Sequence, residues 1–333
     1  MRIAVDAFGG DYAPEEIVKG ALEAASMYDI TIKLVGDEKR LAALIANQKG
    51  NDRIEIVHAP DQIGMDEAPV EAVRSKPNSS LVKAARLVRE KEAEAMVSAG
   101  NTGASMAASL LGMGRIKGVE RPAITSLMPT LKGVSLVVDV GANVDCRPKQ
   151  LYQFALMGSV YAERVLGKSN PKVGLLNIGE EPTKGNETAQ EAYEMLSKSQ
   201  INFIGNIEGR DIPSGDVDVV VCDGFVGNIV LKFAEGLGTA LFSMLKTEFL
   251  RNIPSKLAAL TLKPGLTRIK KKMDYTEYGG APLLGVKGIA IIAHGSSNAK
   301  AIRNAIRVAK EATENQVVNT IAEIMEGDRI ETN

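Results

Sequence analysis

Apolar runs of strand length alternate with amphipathic stretches along nearly the whole chain. Several of the runs are continuous in valine, isoleucine and leucine, which is typical of strands buried on both faces. They lie at residues 2–6, 31–36, 54–58, 94–98, 134–140, 172–178, 201–205, 217–222 and 288–293. Between them the spacing is helical, as at Leu81, Ala84, Ala85 and Val88. The pattern predicts a three-layer α/β fold, in which helices cover an open, mostly parallel sheet.

Residues 226–278 break this alternation. A long helical pattern is followed by an apolar loop and a basic cluster, with no strand between them. We predict a helical hairpin that projects from the sheet and whose apolar residues need cover from a second subunit or a lipid surface. A hairpin at a dimer interface with a solvated charged face is the alternative. The residues expected to make this contact are Leu257, Leu260, Leu262, Arg268, Lys270, Lys271 and Lys272.

Composition narrows the possible partners. No repeat or linker divides the 333 residues, so we predict a single domain over residues 1–333. The net charge of −1 and the 4% aromatic content disfavour nucleic acid as a partner. The two cysteines, Cys146 and Cys222, lack CxxC spacing, which disfavours a zinc ribbon or disulfide scaffold and fits a reducing cytosol.

Candidate chemistry lies where strands end, because ligands bind beyond the carboxyl ends of strands in open α/β sheets. Five such turns carry glycine beside Asn or Thr at the start of a helical pattern. Helix starts offer unpaired N–H groups and the positive end of the dipole, so several of them together can hold a phosphate. Ordinary N-caps and turn residues are the alternative interpretation. The turns contain Asn101-Thr102-Gly103, Asp139 to Asn143, Thr183-Lys184-Gly185, Asp223 to Asn228, and His294 to Asn298.

Acidic residues follow the same strands, at Asp6, Asp11, Asp139 and Asp223. Carboxylates of this kind can bind a divalent cation. However, no HxxE spacing occurs, so we predict no metal and expect them to cap turns or to orient lysines and hydroxyls. No G-x-G-x-x-G follows the first strand, and we predict no dinucleotide or other cofactor. No G-x-S-x-G occurs either, and Cys222 beside Asp223 is interpreted as a buried structural thiol.

Six motifs, taken together and in order, resemble the bacterial phosphate acyltransferase family PlsX. They are RIAVDAFGGDYAP, SAGNTGA, VVDVGAN, NIGEEPTKGNE, CDGFVGNIVLK and HGSSN. The resemblance implies a fold like that of phosphotransacetylases and the isocitrate/isopropylmalate dehydrogenase group. It implies transfer of a fatty acyl group from acyl carrier protein to inorganic phosphate, for phospholipid synthesis. It also implies a cytoplasmic homodimer that contacts the inner face of the cell membrane, or a membrane acyltransferase, peripherally.

The resemblance also implies roles for individual residues. The family's first motif usually carries Met and His where this chain has Phe8 and Tyr12, so a histidine there is not indispensable. The implied catalytic residues are Lys184, Asp223, Asn228 and His294, and the implied phosphate contacts are Asn101, Thr102, Gly103, Thr183, Gly185, Ser296, Ser297 and Asn298. Lys184 would neutralise charge, and Asp223 would orient it or act as base. A coenzyme A-dependent phosphate acyltransferase and a non-catalytic carrier-protein or membrane adaptor remain as alternatives.

Overall fold

A computed structural model describes residues 1–46, 48–273 and 275–331, without the side chains of residues 270, 275 and 328–331. Its strands are β1 Arg2–Asp6, β2 Thr31–Gly36, β3 Ile54–His58, β4 Ala95–Ser98, β5 Ala123–Thr130, β6 Gly133–Val138, β7 Val173–Leu176, β8 Phe203–Ile207, β9 Val219–Val221, β10 Ala281–Leu284 and β11 Ile289–Ile292. Its helices are α1 Glu15–Met27, α2 Glu38–Ile45, α3 Pro69–Ser75, α4 Ser80–Arg89, α5 Thr102–Gly112, α6 Pro148–Arg164, α7 Glu187–Ser197, α8 Gly224–Leu250, α9 Ile253–Met273, α10 Ala299–Glu314 and α11 Val317–Glu331.

Every strand predicted from an apolar run is present, and the sequence pattern missed two more, β5 and β10. Both missed strands contain proline, Pro129 in β5 and Pro282 in β10, and β10 is only four residues long. Proline within a run normally argues against a strand that is paired on both sides. Both nevertheless lie inside the sheet, whose order is β3-β2-β1-β4-β11-β10-β5-β6-β9-β7-β8.

The two missed strands bring the ends of two opposed half-sheets together. One half, β1 to β4 with β11, is parallel, and so is the other, β6 to β9. Three successive antiparallel pairings, β11–β10, β10–β5 and β5–β6, connect the two halves. The halves therefore run in opposite directions. Ile292 pairs with Ala281 and Val138 with Thr125, and the β10–β5 register puts Ala281 and Thr125 one residue apart. The ends of β11 and β6 therefore lie at the same level of the sheet, within about one residue's rise of 3.3 Å.

Helices cover both faces of the sheet, as predicted. Alternate residues of a strand point to opposite faces, and β1 shows this directly. Ile3 and Val5 pack in a core with α1, α6, α10 and α11, whereas Ala4 packs in a second core with α4 and α5. The arrangement is a three-layer αβα fold, and it confirms the predicted fold class.

The segment 226–278 is a helical hairpin, as predicted, although the expected apolar loop is wrong. Residues from Ile253 onward are helical, so only residues 251–252 connect α8 to α9. Most of the hairpin is exposed: the exposed fractions of Leu257, Leu260 and Leu262 are 61%, 65% and 52%. Arg268, Lys271 and Lys272 are exposed as well. The side chain of Lys270 lies outside the described part of the chain.

Candidate active site

One cavity of about 410 Å³ lies where the two half-sheets meet. Its wall includes Thr102 and Gly103 at the start of α5, and His294 and Ser297 after β11. The opposed half-sheet contributes Gly141, after β6, and Asn228, in α8. Four of the five turns identified in the sequence therefore contribute residues to one hollow. We call this space the central cavity.

The start of α5 borders the central cavity through Thr102 and Gly103. Asn101 is the N-cap: its Oδ1 accepts from the N–H of Ala104 at 3.0 Å, and its Nδ2 donates to the carbonyls of Met65 and Glu67. Its side chain is thus committed to the loop, and the predicted phosphate contact passes to its neighbours. Thr102 and Gly103 are the first two helical residues, whose N–H groups have no carbonyl one turn earlier. Two amide donors at the positive end of the helix dipole therefore border the cavity.

At the start of α10, two backbone amides already donate hydrogen bonds to side chains of the protein. The amide of Ala301 donates to Asn298 Oδ1 at 3.0 Å, and the amide of Ala299 donates to Glu16 Oε2 at 2.6 Å. A carboxylate from α1 thus already sits at this helix dipole. Asn298 Oδ1 is engaged as the cap and Asn298 is not part of the cavity lining, so its phosphate contact stays a prediction.

Ser297 is the residue of this turn whose side chain is left able to bond a ligand. It is 2% exposed, it borders the central cavity, and its hydroxyl oxygen has no hydrogen-bond partner among the described residues. A buried hydroxyl without a partner costs about 1–3 kcal/mol. A substrate oxygen in the cavity would satisfy it.

The ring of His294 is held by its own turn. Its Nδ1 accepts from the backbone N–H of Ser296 at 3.2 Å and lies 2.8 Å from Ser296 Oγ. Because a backbone N–H only donates, the neutral ring carries its proton on Nε2. The hydroxyl of Ser296 is therefore a support for the histidine and lies outside the cavity wall.

The turn after β6 is organised around a buried carboxylate. Asp139 accepts from the amides of Ile124, Ala142 and Asn143, and from Asn143 Nδ2 at 2.9 Å. Burial raises the pKa of Asp139, and these donors oppose the rise. Asp139 and Asn143 therefore shape the turn, which agrees with the prediction that the acidic residues cap turns.

The start of α8 is pressed against that turn. A Cβ on Gly227 would overlap the carbonyl oxygen of Asp139 and lie 2.9 Å from Cys222 Sγ. Only glycine lets α8 begin here, which explains the second glycine of the CDGFVGN motif. The N-cap is Asp223, whose Oδ1 accepts from the amide of Val226 at 2.8 Å. One turn later Asn228 reaches the central cavity.

Lys232 is a cavity residue that the sequence pattern missed. It lies one helical turn after Asn228 on the same face of α8 and borders the cavity, where it pairs with Glu235 at 2.9 Å. It lies inside a helix, away from the strand ends, where ligand contacts are expected. The i, i+4 spacing from the motif asparagine was the available signal.

The turn after β7 stands apart from the central cavity. Thr183 and Lys184 are exposed. The side chain of Lys184 lies against Gly179 of its own loop, since a Cβ added to Gly179 would be 3.0 Å from Lys184 Cγ. Gly185 has φ +87°, so a glycine is required there. No ion pair joins Lys184 to Asp223 among the described side chains, and Asp223 is engaged as a helix cap. The catalytic assignment of Lys184 stays a prediction.

The remaining acidic candidates support the turn after β1. Ser98 Oγ donates to Asp6 Oδ2 at 2.7 Å, and burial raises the pKa of Asp6. The amide of Asp11 donates to the carbonyl of Gly295 at 2.8 Å, which joins this turn to the one that holds His294. No group of three potential metal ligands occurs within residues 1–46, 48–273 and 275–331.

Cys222 is a buried free thiol, as predicted. Burial raises its pKa, and the charges of Asp223 and Asp139 raise it further. The thiolate needed for an acyl-cysteine is therefore disfavoured at this position. Cys146, in the turn after β6, is similar, since burial raises its pKa to about 12.

Solved structures share this architecture. A phosphotransacetylase from Streptococcus pyogenes superposes with a TM-score of 0.65 at 16% identity, covering 96% of this chain and 94% of the other. A phosphotransacetylase from Staphylococcus aureus gives 0.63 at 17% identity, covering 94% of each. A 4-hydroxythreonine-4-phosphate dehydrogenase from Klebsiella pneumoniae gives 0.55 at 13%, covering 94% of this chain and 99% of that chain. The three-layer fold is thus shared with phosphotransacetylases and with a 4-hydroxythreonine-4-phosphate dehydrogenase.

Sequence relatives narrow the class. The model of a family described as "Fatty acid synthesis protein" matches residues 1–320. A phosphate acyltransferase of Desulfitobacterium hafniense is 59% identical over 322 residues, covering 96% of each chain. One from Pelotomaculum thermopropionicum is 56% identical over 326 residues, covering 98% of this chain and 95% of the relative. The chain belongs to the phosphate acyltransferase family, and the resemblance carried by the six motifs is confirmed.

Proposed function

We propose that this protein transfers a fatty acyl group from a thioester to inorganic phosphate and so forms an acyl phosphate for phospholipid synthesis. The observation that carries the proposal is the central cavity. There, Thr102 and Gly103 at the start of α5 line the same space as Ser297, whose hydroxyl has no hydrogen-bond partner among the described residues. Donors that are fixed before the substrate arrives suit an oxyanion.

The reaction proceeds by direct attack. A phosphate oxygen forms a bond to the thioester carbonyl carbon, the tetrahedral oxyanion collapses, and the C–S bond breaks to release a thiolate, which takes a proton from water. Phosphate is already an anion, so positioning matters more than activation, and no acyl-enzyme is required. The start of α5 holds one anionic oxygen, and His294 Nε2–H and Ser297 Oγ are the donors on the opposite wall. Lys232 borders the cavity as an ion pair with Glu235, and Lys184 is predicted to supply positive charge from outside the cavity.

The acyl donor in this proposal is acyl carrier protein. The assay combines purified protein, acyl-carrier-protein thioester and inorganic phosphate, follows free thiol, and traps acyl phosphate with hydroxylamine. Thiol release that depends on phosphate, and is absent when sulfate replaces it, supports the enzyme over a non-catalytic adaptor. A coenzyme A thioester that reacts faster than the carrier-protein thioester would contradict the choice of donor.

The hairpin is proposed to join two copies of the chain and to touch the cytoplasmic face of the membrane. Helix α8 alone has the length and apolar composition of a bilayer span among the described residues, and only 11% of its most apolar window is buried. Its first turns belong to the central cavity, so peripheral contact suits it better than crossing. Exposed leucines beside Arg268, Lys271 and Lys272 combine an apolar and a basic signal.

Vesicle co-sedimentation and sedimentation equilibrium test the two roles separately. The double variant Leu257→Glu with Leu260→Glu is expected to lose binding to anionic vesicles. Its control is Leu131→Glu, which changes a leucine that is 87% exposed in the turn between β5 and β6. Unchanged vesicle binding by the double variant would reject the lipid role, and an unchanged dimer mass would place the dimer contact elsewhere.

A further inference from the structure

A second cavity, of about 600 Å³, opens beside the central cavity and is lined by three arginines, Arg115, Arg121 and Arg147. We call it the arginine cleft. Two acidic residues, Glu120 and Asp145, belong to the same lining, one fewer than the arginines. Glu120 is within 3.9 Å of Lys149, a cation just outside the lining. The cleft therefore carries an excess of positive charge in a protein whose net charge is −1.

The arginines are arranged for an anion rather than for the protein's own carboxylates. No ion pair engages Arg115, Arg121 or Arg147 among the described side chains. Arg115 is braced, since its guanidinium donates to the carbonyls of Val119 and Glu120. Arg147 is the extended N-cap of α6, with Pro148 as the first helical residue, so the positive end of a 17-residue helix adds to the same field.

The cleft and the central cavity share their dividing wall. Helix α5 contributes Met106 to the central cavity and Leu110, one turn further along, to the cleft. At the start of β5, Ile124 lines the central cavity, and Pro122, just before the strand, lines the arginine cleft. Met106 and Leu110 are four residues apart, so the two linings are separated along α5 by roughly 6 Å.

We propose that the arginine cleft holds the phosphate group of the donor's pantetheine arm while the thioester enters the central cavity. This inference rests on the proposed function. Both candidate donors, an acyl carrier protein and coenzyme A, carry a phosphate at the far end of the pantetheine arm, so the assignment covers either. Guanidinium groups bind phosphate oxygens in pairs, which a concave site with three arginines allows. A separate site for this phosphate leaves the α5 start to the inorganic phosphate that reacts.

The test compares three thioesters of one acyl chain: acyl-pantetheine, acyl-phosphopantetheine and acyl carrier protein. The variants are Arg121→Gln and Arg147→Gln, because Arg115 also braces its loop. The control is Lys117→Gln, which removes one positive charge from the same loop outside the cleft lining. We expect each arginine variant to raise KM about tenfold or more for the two donors that carry phosphate. KM for acyl-pantetheine, KM for inorganic phosphate and all constants of the control should stay within about twofold.

Four results would overturn the proposal. An equal loss with acyl-pantetheine would mean a structural defect. A loss confined to the carrier protein would mean that the arginines meet its acidic surface. A raised KM for inorganic phosphate would make the cleft a site for that substrate, and unchanged kinetics would mean no site. Calorimetric titration of free phosphopantetheine against pantetheine needs no turnover, so it tests the cleft even if the acyltransferase assay fails.

Discussion

The starts of α5 and α10 look alike in sequence and differ in what occupies them. Each follows a buried strand, has glycine in its turn and begins with an asparagine N-cap. At α5 the first amides, of Thr102 and Gly103, are left to the central cavity. At α10 the corresponding amide, of Ala299, is taken by the carboxylate of Glu16. The comparison teaches that a phosphate-binding helix start is defined by the absence of an internal anion, which the local motif does not encode.

The largest loss of activity is expected when the start of α5, which borders the central cavity, is displaced. Gly103→Ala places a Cβ 2.7 Å from Pro69 Cγ, so α5 or α3 must shift and move the amide donors. A misplacement of about 1 Å can cost on the order of 10²-fold, and we expect that loss in kcat/KM. Gly236→Ala is the control, because a Cβ there meets nothing within 4 Å. Full activity of Gly103→Ala with an unchanged thermal midpoint would contradict the role of the α5 start.

A loss of about tenfold in kcat/KM, without unfolding, is expected for Lys184→Ala. Lys184 belongs to a third helix start, that of α7, which stands away from the cavity. Lys232→Ala is the matched comparison, because it removes one exposed lysine from the cavity wall. We expect about tenfold there as well. A folded, fully active Lys184→Ala beside a defective Lys232→Ala would move the neutralising charge to α8.

Ser297→Ala should change activity and stability in opposite directions at the start of α10, where Glu16 occupies the first amide. Removing a buried hydroxyl without a partner is expected to raise the free energy of unfolding by about 1 kcal/mol. The same change removes a donor from the cavity and should lower kcat/KM about tenfold. Ser105→Ala is the control, because Ser105 Oγ is also buried without a partner but lies outside the cavity wall. Equal activities of the two variants would exclude Ser297 from the site.

The smallest effect is expected at Glu16. Glu16→Gln keeps an acceptor for the Ala299 amide but removes the negative charge from the α10 dipole. An exposed charge at a helix end is worth about 0.3–1 kcal/mol, so KM for phosphate should fall about two- to fivefold. Glu23→Gln serves as control, since Glu23 lies further along α1 and pairs with Arg303 at 3.1 Å. A higher KM for Glu16→Gln would show that the carboxylate helps to build the site.

Much of the site was predictable because caps and strand ends are local. Asn101, Asp223 and Asn298 cap helices where the sequence placed them, and His294, Ser297 and Asn228 border the cavity. The arginine cleft was not predictable. Arg121 and Arg147 are both followed by proline but are distant in the chain, and no periodicity links them. Lys232 was missed because a charged residue inside a helix is normally read as part of a solvated face.

The sequence by itself determined nine of the eleven strands, the helical hairpin and the family, because hydrophobic periodicity and motif residues act over a few neighbours. Only the tertiary structure decided which helix starts serve the ligand. The two proline-containing strands, β5 and β10, reverse one half-sheet against the other and bring their carboxyl ends to one level. Glu16 closes α10 from a position 283 residues away. Such contacts depend on how the chain packs, and the same local motif is compatible with an open or a closed helix start.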